Sequence, residues 1–322
     1  MKRTLPLLFC LLTLIFSSCK KSINCGVPCD YNEELVFNGG FEGVTIEQNG
    51  TKAHINGIDT AFTEKNNWDD WDKGDDVPFF NINYEDGDIS QRKADLVDDP
   101  IHPGNTVLHY DIKSTNVFKR NDPLKSRIQV QMVDMQCIRE YYHTVDIMFP
   151  SDMAQLKSYP DKILWLSIFE FWNNGNWTGE RFPFRITVTL HKEKEVGADL
   201  HYNVHAQTFK KPNNFTDVWN ETATNFAIPF DQWMELELYV LEGDENNGRF
   251  YMAVTPEGGT KEVLFDINNT TQHPKEKCPD GFTHIQPLKW YTSHDLTQYM
   301  KDEGKSLEVY WDDWQLWKNK QP

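Results

Sequence analysis

Glu170 sits where a carboxylate is costly. The run Ile163–Phe169 is apolar on both parities, as in a strand buried on both faces, and Glu170 follows inside it. A buried carboxylate is unfavourable unless it is paired or performs chemistry. Trp172, Asn173, Asn174 and Trp177 come next. Aromatic faces take up the C–H faces of sugars and amides bond their hydroxyls. Two readings stand side by side. One is a carbohydrate-facing site; the other is a core strand whose Glu170 pairs with an arginine while the tryptophans pack.

Three further stretches carry a polar parity. Arg127, Gln129 and Gln131 oppose Ile128, Val130 and Met132; Arg185, Thr187, Thr189 and His191 oppose Ile186, Val188 and Leu190. His201, Asn203, His205 and Gln207 oppose Tyr202, Val204 and Ala206. A solvated sheet face is usually Lys, Glu and Thr, whereas His, Gln, Asn and Arg suit a ligand groove; a plain exposed face is the competing account. If these strands are neighbours, Arg127, Gln129, Gln131, Arg185, His205, Glu170 and Trp172 converge on one cleft, with Trp172 stacking a sugar ring. Glycoside hydrolysis needs two facing carboxylates. Glu170 is one candidate, and Asp146 or Glu180 the second. His205 and His143 are the candidate bases. The chain has no serine nucleophile elbow, phosphate loop or zinc motif.

The elements that must position these groups read as strands. Alternation or apolar runs mark 34–37, 106–113, 127–132, 142–149, 163–172, 184–191, 200–209, 233–241, 249–255, 262–267, 287–291 and 307–317. Ser151–Leu156 reads as a helical turn capped by Ser151, and Leu296–Lys301 as a short helix. No long amphipathic helix interrupts the series, so the expected fold is all-β: a two-sheet antiparallel β-sandwich of jelly-roll form. Residues 34–322 are expected to form a single domain.

The N-terminus reads as a leader. Lys2 and Arg3 precede an apolar stretch, Leu5–Phe16, and Phe16-Ser-Ser-Cys19 follows in the manner of a lipobox. That stretch is too short to span a membrane. Residues 1–18 are expected to be a signal peptide, with Cys19 the lipidated residue and 19–33 a tether to the outer membrane or cell surface. The membrane is then met through the lipid anchor only. An ordinary cleaved signal gives export as well. The formal charge is −17, and −19 without Lys2 and Arg3. So acidic a chain is a poor partner for nucleic acid, yet a local basic groove could still hold an anionic polysaccharide. Cys25, Cys29, Cys137 and Cys278 form an even set suited to disulfides, with the pairing open.

With these residues in view, the chain resembles the concanavalin-A-like jelly rolls of secreted glycan-active proteins, and most of all the bacterial heparin-, alginate- and glucuronan-type polysaccharide lyases. The matching stretches are Arg127-Ile-Gln-Val-Gln131, Tyr142–Asp152 with its Phe-Pro-Ser-Asp ending, Ile163–Trp172, and Lys289-Trp-Tyr291. The resemblance covers about 106–317. It implies Tyr291 and His205 as catalytic groups beside Glu170, and Arg127, Gln129, Gln131, Trp172, Asn173, Arg185 and Lys289 as substrate-binding groups. One departure stands out: where such lyases carry Gln and His, this chain has Glu170 and Trp172 or Asn173. An ionised Glu170 would repel a uronate, which leaves lyase and hydrolase both open. Asn38-Gly-Gly-Phe-Glu42 and Tyr310-Trp-Asp-Asp-Trp314 are similar to the first and last strands of jelly-roll carbohydrate-binding modules. Those strands lie side by side, and the similarity implies a structural calcium held by Glu42 and Asp312. An edge-strand pair without metal is the alternative, and no cofactor is expected for catalysis. The expected partner is a polysaccharide or oligosaccharide, bound by an enzyme or by a non-catalytic surface lipoprotein.

Overall fold

The computed structural model describes residues 32–49, 52–71, 81–83, 90–114, 125–132, 138–175, 179, 181–211, 214–277 and 281–322. Cys19, Cys25, Cys29, Cys137, Cys278, Trp177 and Glu180 lie outside these residues, and with them the lipid anchor and the disulfides.

The strands in chain order are β1 Glu34–Gly39, β2 Thr45–Asn49, β3 Lys52–Asn56, β4 Asn81–Asn83, β5 Arg92–Asp98 and β6 Thr106–Ile112. Then come β7 Lys125–Gln131, β8 Glu140–Met148, β9 Leu166–Asn173, β10 Phe184–His191, β11 His201–Lys211 and β12 Asn214–Thr222. Last are β13 Met234–Leu241, β14 Arg249–Pro256, β15 Glu262–Asn268, β16 His284–Gln286, β17 Lys289–Ser293 and β18 Leu307–Lys318. One α-helix, α1 His294–Asp302, is found among the described residues. Ser151–Ser158 is a 3-10 helix with Pro150 at its cap position and no side-chain cap bond, so Ser151 is not the cap expected.

The strands form two antiparallel sheets. Among the described residues, one has eight strands in the order β15-β14-β13-β8-β18-β6-β5, with β1 also paired to β18. The other has ten described strands, in the order β12-β11-β10-β9-β17-β7-β4-β3-β2, with β16 paired to β9. This is the two-sheet jelly-roll sandwich that the alternating patterns imply. Inward parities pack one core: Ile128, Val130, Phe169, Phe171, Ile186, Val188 and Val204 from the large sheet meet Tyr141, Val145, Ile147, Leu236 and Leu238 from the smaller. The chain ends meet where expected, Leu35 opposite Trp317 and Gly39 opposite Trp314. Beneath that pairing Phe37 stands edge-on to Trp68 at 4.7 Å, and Phe41 stacks on Trp68 at 5.4 Å. Each such aromatic contact adds about 0.5–1.5 kcal/mol beyond burial.

The apolar run does not stay in its strand. Ile163 makes an isolated bridge to Lys192, and β9 begins only at Leu166. Leu164 is 61 % exposed and Trp165 half-buried, on the surface rather than inside.

Candidate functional site

Directly paired strand residues share a face. Tyr291 lies opposite Arg127 and Ser167, Lys289 opposite Gln129, and Glu170 opposite Thr187 and Gln286. Arg185 lies opposite Trp172 and Gln207, and Thr187 opposite His205. Arg127, Gln129, Gln131, Glu170, Trp172, Arg185, His205, Lys289 and Tyr291 therefore share one surface, the outer face of the ten-stranded sheet. Asn173 does not. It sits on the opposite parity, buried, and donates to Glu242, which also binds Arg139 at 3.2 Å and the Gly281 amide at 3.0 Å. The other candidates also lie elsewhere. His143 is inside the core against Phe169, bonded to the Tyr141 hydroxyl at 2.7 Å, and burial pushes its imidazole down to about 3. Asp146 is in the eight-stranded sheet opposite Glu235 and Asp312, so it cannot face Glu170 across a substrate.

Glu170 is at the centre, 4 % exposed. Arg185 Nη1 donates to its Oε1 at 2.9 Å and Thr187 Oγ1 to the same oxygen at 3.2 Å, while Lys289 Nζ pairs with Oε2. Burial alone would raise this carboxyl. The charges of Lys289 and Arg185, with hydrogen bonds from Lys289 and Trp172, outweigh burial and hold it down to about 2. Glu170 is thus held ionised near neutral pH, an anchor for two cations rather than a proton donor. The sequence alternatives merge here: it is paired with an arginine, and it lies on the polar face. Burial, opposed by Glu170 but helped by Arg127 and Arg185, brings Lys289 down to about 8.

Arg185 is fixed from several sides. Its Nε and Nη2 donate to Gln207 Oε1 at 2.9 and 2.7 Å, and Gln207 donates to Asp217 at 2.6 Å. The guanidinium lies 3.9 Å from the centre of the Phe215 ring. Tyr291 has Lys289, Arg127 and Lys125 over its ring at 5.0, 5.2 and 5.9 Å. His205 is neutral, its imidazole pushed down to about 4 by burial and then by the Arg185 charge. Its Nδ1 is 3.2 Å from Asn203 Oδ1, and Asn203 Nδ2 is spent on Asn220, Glu221 and Thr222 at 2.7, 2.8 and 2.8 Å. That amide orientation makes Nδ1 the protonated nitrogen and leaves Nε2 with its lone pair.

Between these groups is a cavity of about 380 Å³ lined by Lys125, Leu164, Trp165, Ser167, Arg185, Thr187, His205, Gln207, Phe215 and Tyr291. Gln129 Oε1 and Gln286 Oε1, buried on the same face, accept no hydrogen bond among the described residues. Trp172 is not the expected stacking platform: it is 5 % exposed and stacked on Phe209 at 5.1 Å. The apolar walls are exposed Phe215 and Leu164 and half-buried Trp165 instead. Phe215 was missed because β12 is too polar to read as a strand; Lys125 and Ser167 carried no signal of their own.

The opposite outer face gathers carboxylates. Asp312 Oδ2 accepts from Asn105 at 2.7 Å, and Glu42 Oε1 from the Thr106 amide at 3.2 Å. A bulge in β18 puts Asp313 at a positive φ of 43°, close to Asp312 and Glu42. A Cβ on Gly40 would lie 2.9 Å from Asp312 Oδ1 and Glu42 Oε2 and 3.2 Å from Asp313 Oδ1, so three carboxylate oxygens surround one small space. Burial and then the Asp313 charge push Asp312 up to about 8. Hard oxygen donors are the kind Ca²⁺ takes, but among the described residues no group of three or more His, Cys, Asp or Glu is placed to hold a metal ion. Beside them a cavity of about 390 Å³ is lined by Asp99, Asp146, Glu235, Glu257 and Asp313, with no Lys or Arg among the described lining residues.

No family model and no curated protein matches the chain. Solved structures do. An endo-β-1,4-glucuronan lyase from the fungus Trichoderma reesei is 12 % identical over 73 % of this chain and 89 % of its own, with a TM-score of 0.44. A marine alginate lyase from Aplysia kurodai is 10 % identical over the same shares, with a TM-score of 0.46. The catalytic domain of an endo-1,3-β-glucanase (laminarinase) from Thermotoga petrophila is 11 % identical over 91 % and 100 %, at 0.43. These are the kinds of protein the sequence resembles.

Proposed function

We propose that this protein is a polysaccharide-cleaving enzyme for an acidic extracellular glycan, working by β-elimination rather than hydrolysis. The observation that carries this is the cavity itself: its charged lining is Lys125 and Arg185, in a chain of net charge −17, and Glu170 beneath it is locked to two cations. A hydrolase needs one carboxyl that keeps a proton, a role that Glu170, held low by two cations, does not suit. Elimination needs other groups. Arg185 and Lys125 offset the uronate carboxylate and the charge that spreads onto it as the proton leaves. His205 Nε2 takes the C5 proton; the C5–H electrons become the C4=C5 bond as the C4–O bond breaks. The Tyr291 hydroxyl gives a proton to the departing oxygen. The repulsion expected from Glu170 is cancelled by Arg185 and Lys289.

The test is turnover of a panel of polyuronates, read as ultraviolet absorbance of unsaturated ends. His205→Ala and Tyr291→Phe should each lower turnover by about 10²–10⁴-fold with binding kept. New reducing ends without that absorbance would replace elimination with hydrolysis. A second reading, a non-catalytic glycan-binding lipoprotein, is favoured by Glu170 standing where the resembling lyases carry Gln; retention of glycan without any product would establish it.

Two further parts of the proposal rest on sequence and geometry. Ser17-Ser18-Cys19 after the apolar stretch supports a lipid anchor at the outer membrane or cell surface, and Cys19→Ala should move the protein out of the membrane fraction. Glu42, Asp312 and Asp313 around Gly40 support a structural calcium that clamps β1 to β18.

A further inference from the structure

The cavity on the ten-stranded sheet does not end at Trp165. Leu164 and Trp165 also line a second basin of about 270 Å³, whose other walls include Tyr159, Asp161, Lys162, Ser293 and Asp295. The two basins share that ridge, and the ridge is apolar and open: Leu164 is 61 % exposed, and the Trp165 ring stands edge-on to Tyr291 at 4.7 Å and 86°. An exposed Leu beside a Trp between two polar basins suits the C–H face of a sugar that passes from one to the other.

The charge changes sign across the ridge. The first basin presents Lys125 and Arg185. In the second, Lys162 is paired with Glu193 at 2.6 Å, as Arg185 is with Glu170 at 2.9 Å, and Asp161 and Asp295 add two exposed carboxylates. Lys194 is 3.7 Å from Asp161, a loose and solvent-screened pairing. Both aspartates raise the Tyr159 phenol, after burial as the first cause, so their field reaches the basin wall.

Resting on the acidic-glycan reading above, we infer that the second basin is a subsite for an uncharged sugar, and that the preferred ligand is a mixed polymer in which an acidic unit adjoins a neutral one. A uronate or sulfate there would face Asp161 and Asp295. A neutral sugar would donate its hydroxyls to them, with charge-assisted bonds. A homopolymer of uronates fits the first basin and is opposed by the second.

The experiment compares affinities of the wild-type protein for two polymers of matched length, a pure polyuronate and one alternating uronate with neutral sugar. It repeats this for Asp161→Asn/Asp295→Asn and, separately, for Leu164→Ser. The wild type should favour the alternating polymer. The double variant should narrow that preference by about threefold or more, through better binding of the polyuronate. Leu164→Ser should weaken the alternating polymer more than a uronate disaccharide, which needs only the first basin. A wild-type preference for the polyuronate, or a preference unmoved by the double variant, overturns the inference and leaves the acidic-glycan reading intact. Failure to bind either polymer overturns both.

Discussion

The two outer faces of the sandwich handle buried carboxylates in opposite ways. On the ten-stranded sheet, Glu170 is enclosed by Arg185, Lys289 and Thr187 and held down to about 2. On the eight-stranded sheet, Asp312 meets Asn105 and other carboxylates and is pushed up to about 8. Both sit in strands and both are largely buried. The surroundings, not the residue type, set what each can do. Glu170 fixes cations in place, which leaves the face above it fit for an anionic ligand. Asp312 and its neighbours leave negative charge uncompensated, which makes that face fit for a cation.

The strongest way to break this comparison is to neutralise one carboxylate on each face. Glu170→Gln leaves Arg185 and Lys289 buried with their anion gone, and removing one partner of a buried pair costs about 3–5 kcal/mol. Asp312→Asn, without added divalent cation, should be neutral or stabilising, because it removes a carboxyl whose ionisation burial and Asp313 oppose. Denaturant unfolding of both variants reads the two signs directly, and a matched loss would end the contrast. The pH dependence has a definite direction. Glu170 lies below its ordinary 4.5, so its contribution is present above that pH and is lost as pH falls through 4.5 toward about 2. Acid unfolding of Glu170→Gln should be flatter than wild type in that window.

The next effect is smaller and belongs to the other face. Calcium at a hundred times its dissociation constant should stabilise the fold by about 2.7 kcal/mol. The readout is a rise in Tm that a chelator reverses. Glu42→Gln and Asp312→Asn should each remove the response, while Arg185→Gln in the groove should keep it. A Tm indifferent to calcium in the wild-type protein argues against the clamp between β1 and β18.

The groove was more legible in the sequence than its chemistry. The alternation at 127–131, 184–191 and 200–209 put Arg127, Arg185 and His205 on polar parities, and period-2 geometry brought them to one face. What a strand pattern cannot carry is which side chain meets which across the sheet. That Glu170 would be closed by both Arg185 and Lys289 depends on β16, β17 and β10 flanking β9, contacts more than a hundred residues apart in the case of Lys289. Which of the two readings of Trp172 holds, sugar platform or packing, is settled by Phe209 on β11, and Leu164 is not legible because an apolar run looks the same in a core strand and on a ridge. β12 was missed because its residues, Asn214–Thr222, are mostly polar, and its place is fixed by register with β11 instead.

The smallest predicted effect sharpens the comparison at long range. Lys125 lines the groove half-buried, 5.9 Å from the centre of the Tyr291 ring, whereas the Arg185 side chain is only 17 % exposed. Charges open to solvent are screened over about 8 Å at physiological salt, and buried ones much less. Lys125→Gln should therefore weaken acidic-glycan binding by about 0.5–1 kcal/mol at low salt, and the difference should fade as salt is raised. Arg185→Gln should keep most of its larger effect at high salt, because its bonds to Glu170 and Gln207 hold it in one geometry away from bulk water. Glu257→Gln, in the acidic cavity of the other face, should leave glycan affinity unchanged at any salt. Titration calorimetry of the three variants at low and high salt separates the cases. If Glu257→Gln shifts affinity as much as Lys125→Gln does, glycan attraction is a property of net charge, and the division of labour between the two faces is lost. If only the groove variants respond, and only Lys125→Gln loses its effect in salt, the anion is being read at one local, partly desolvated surface.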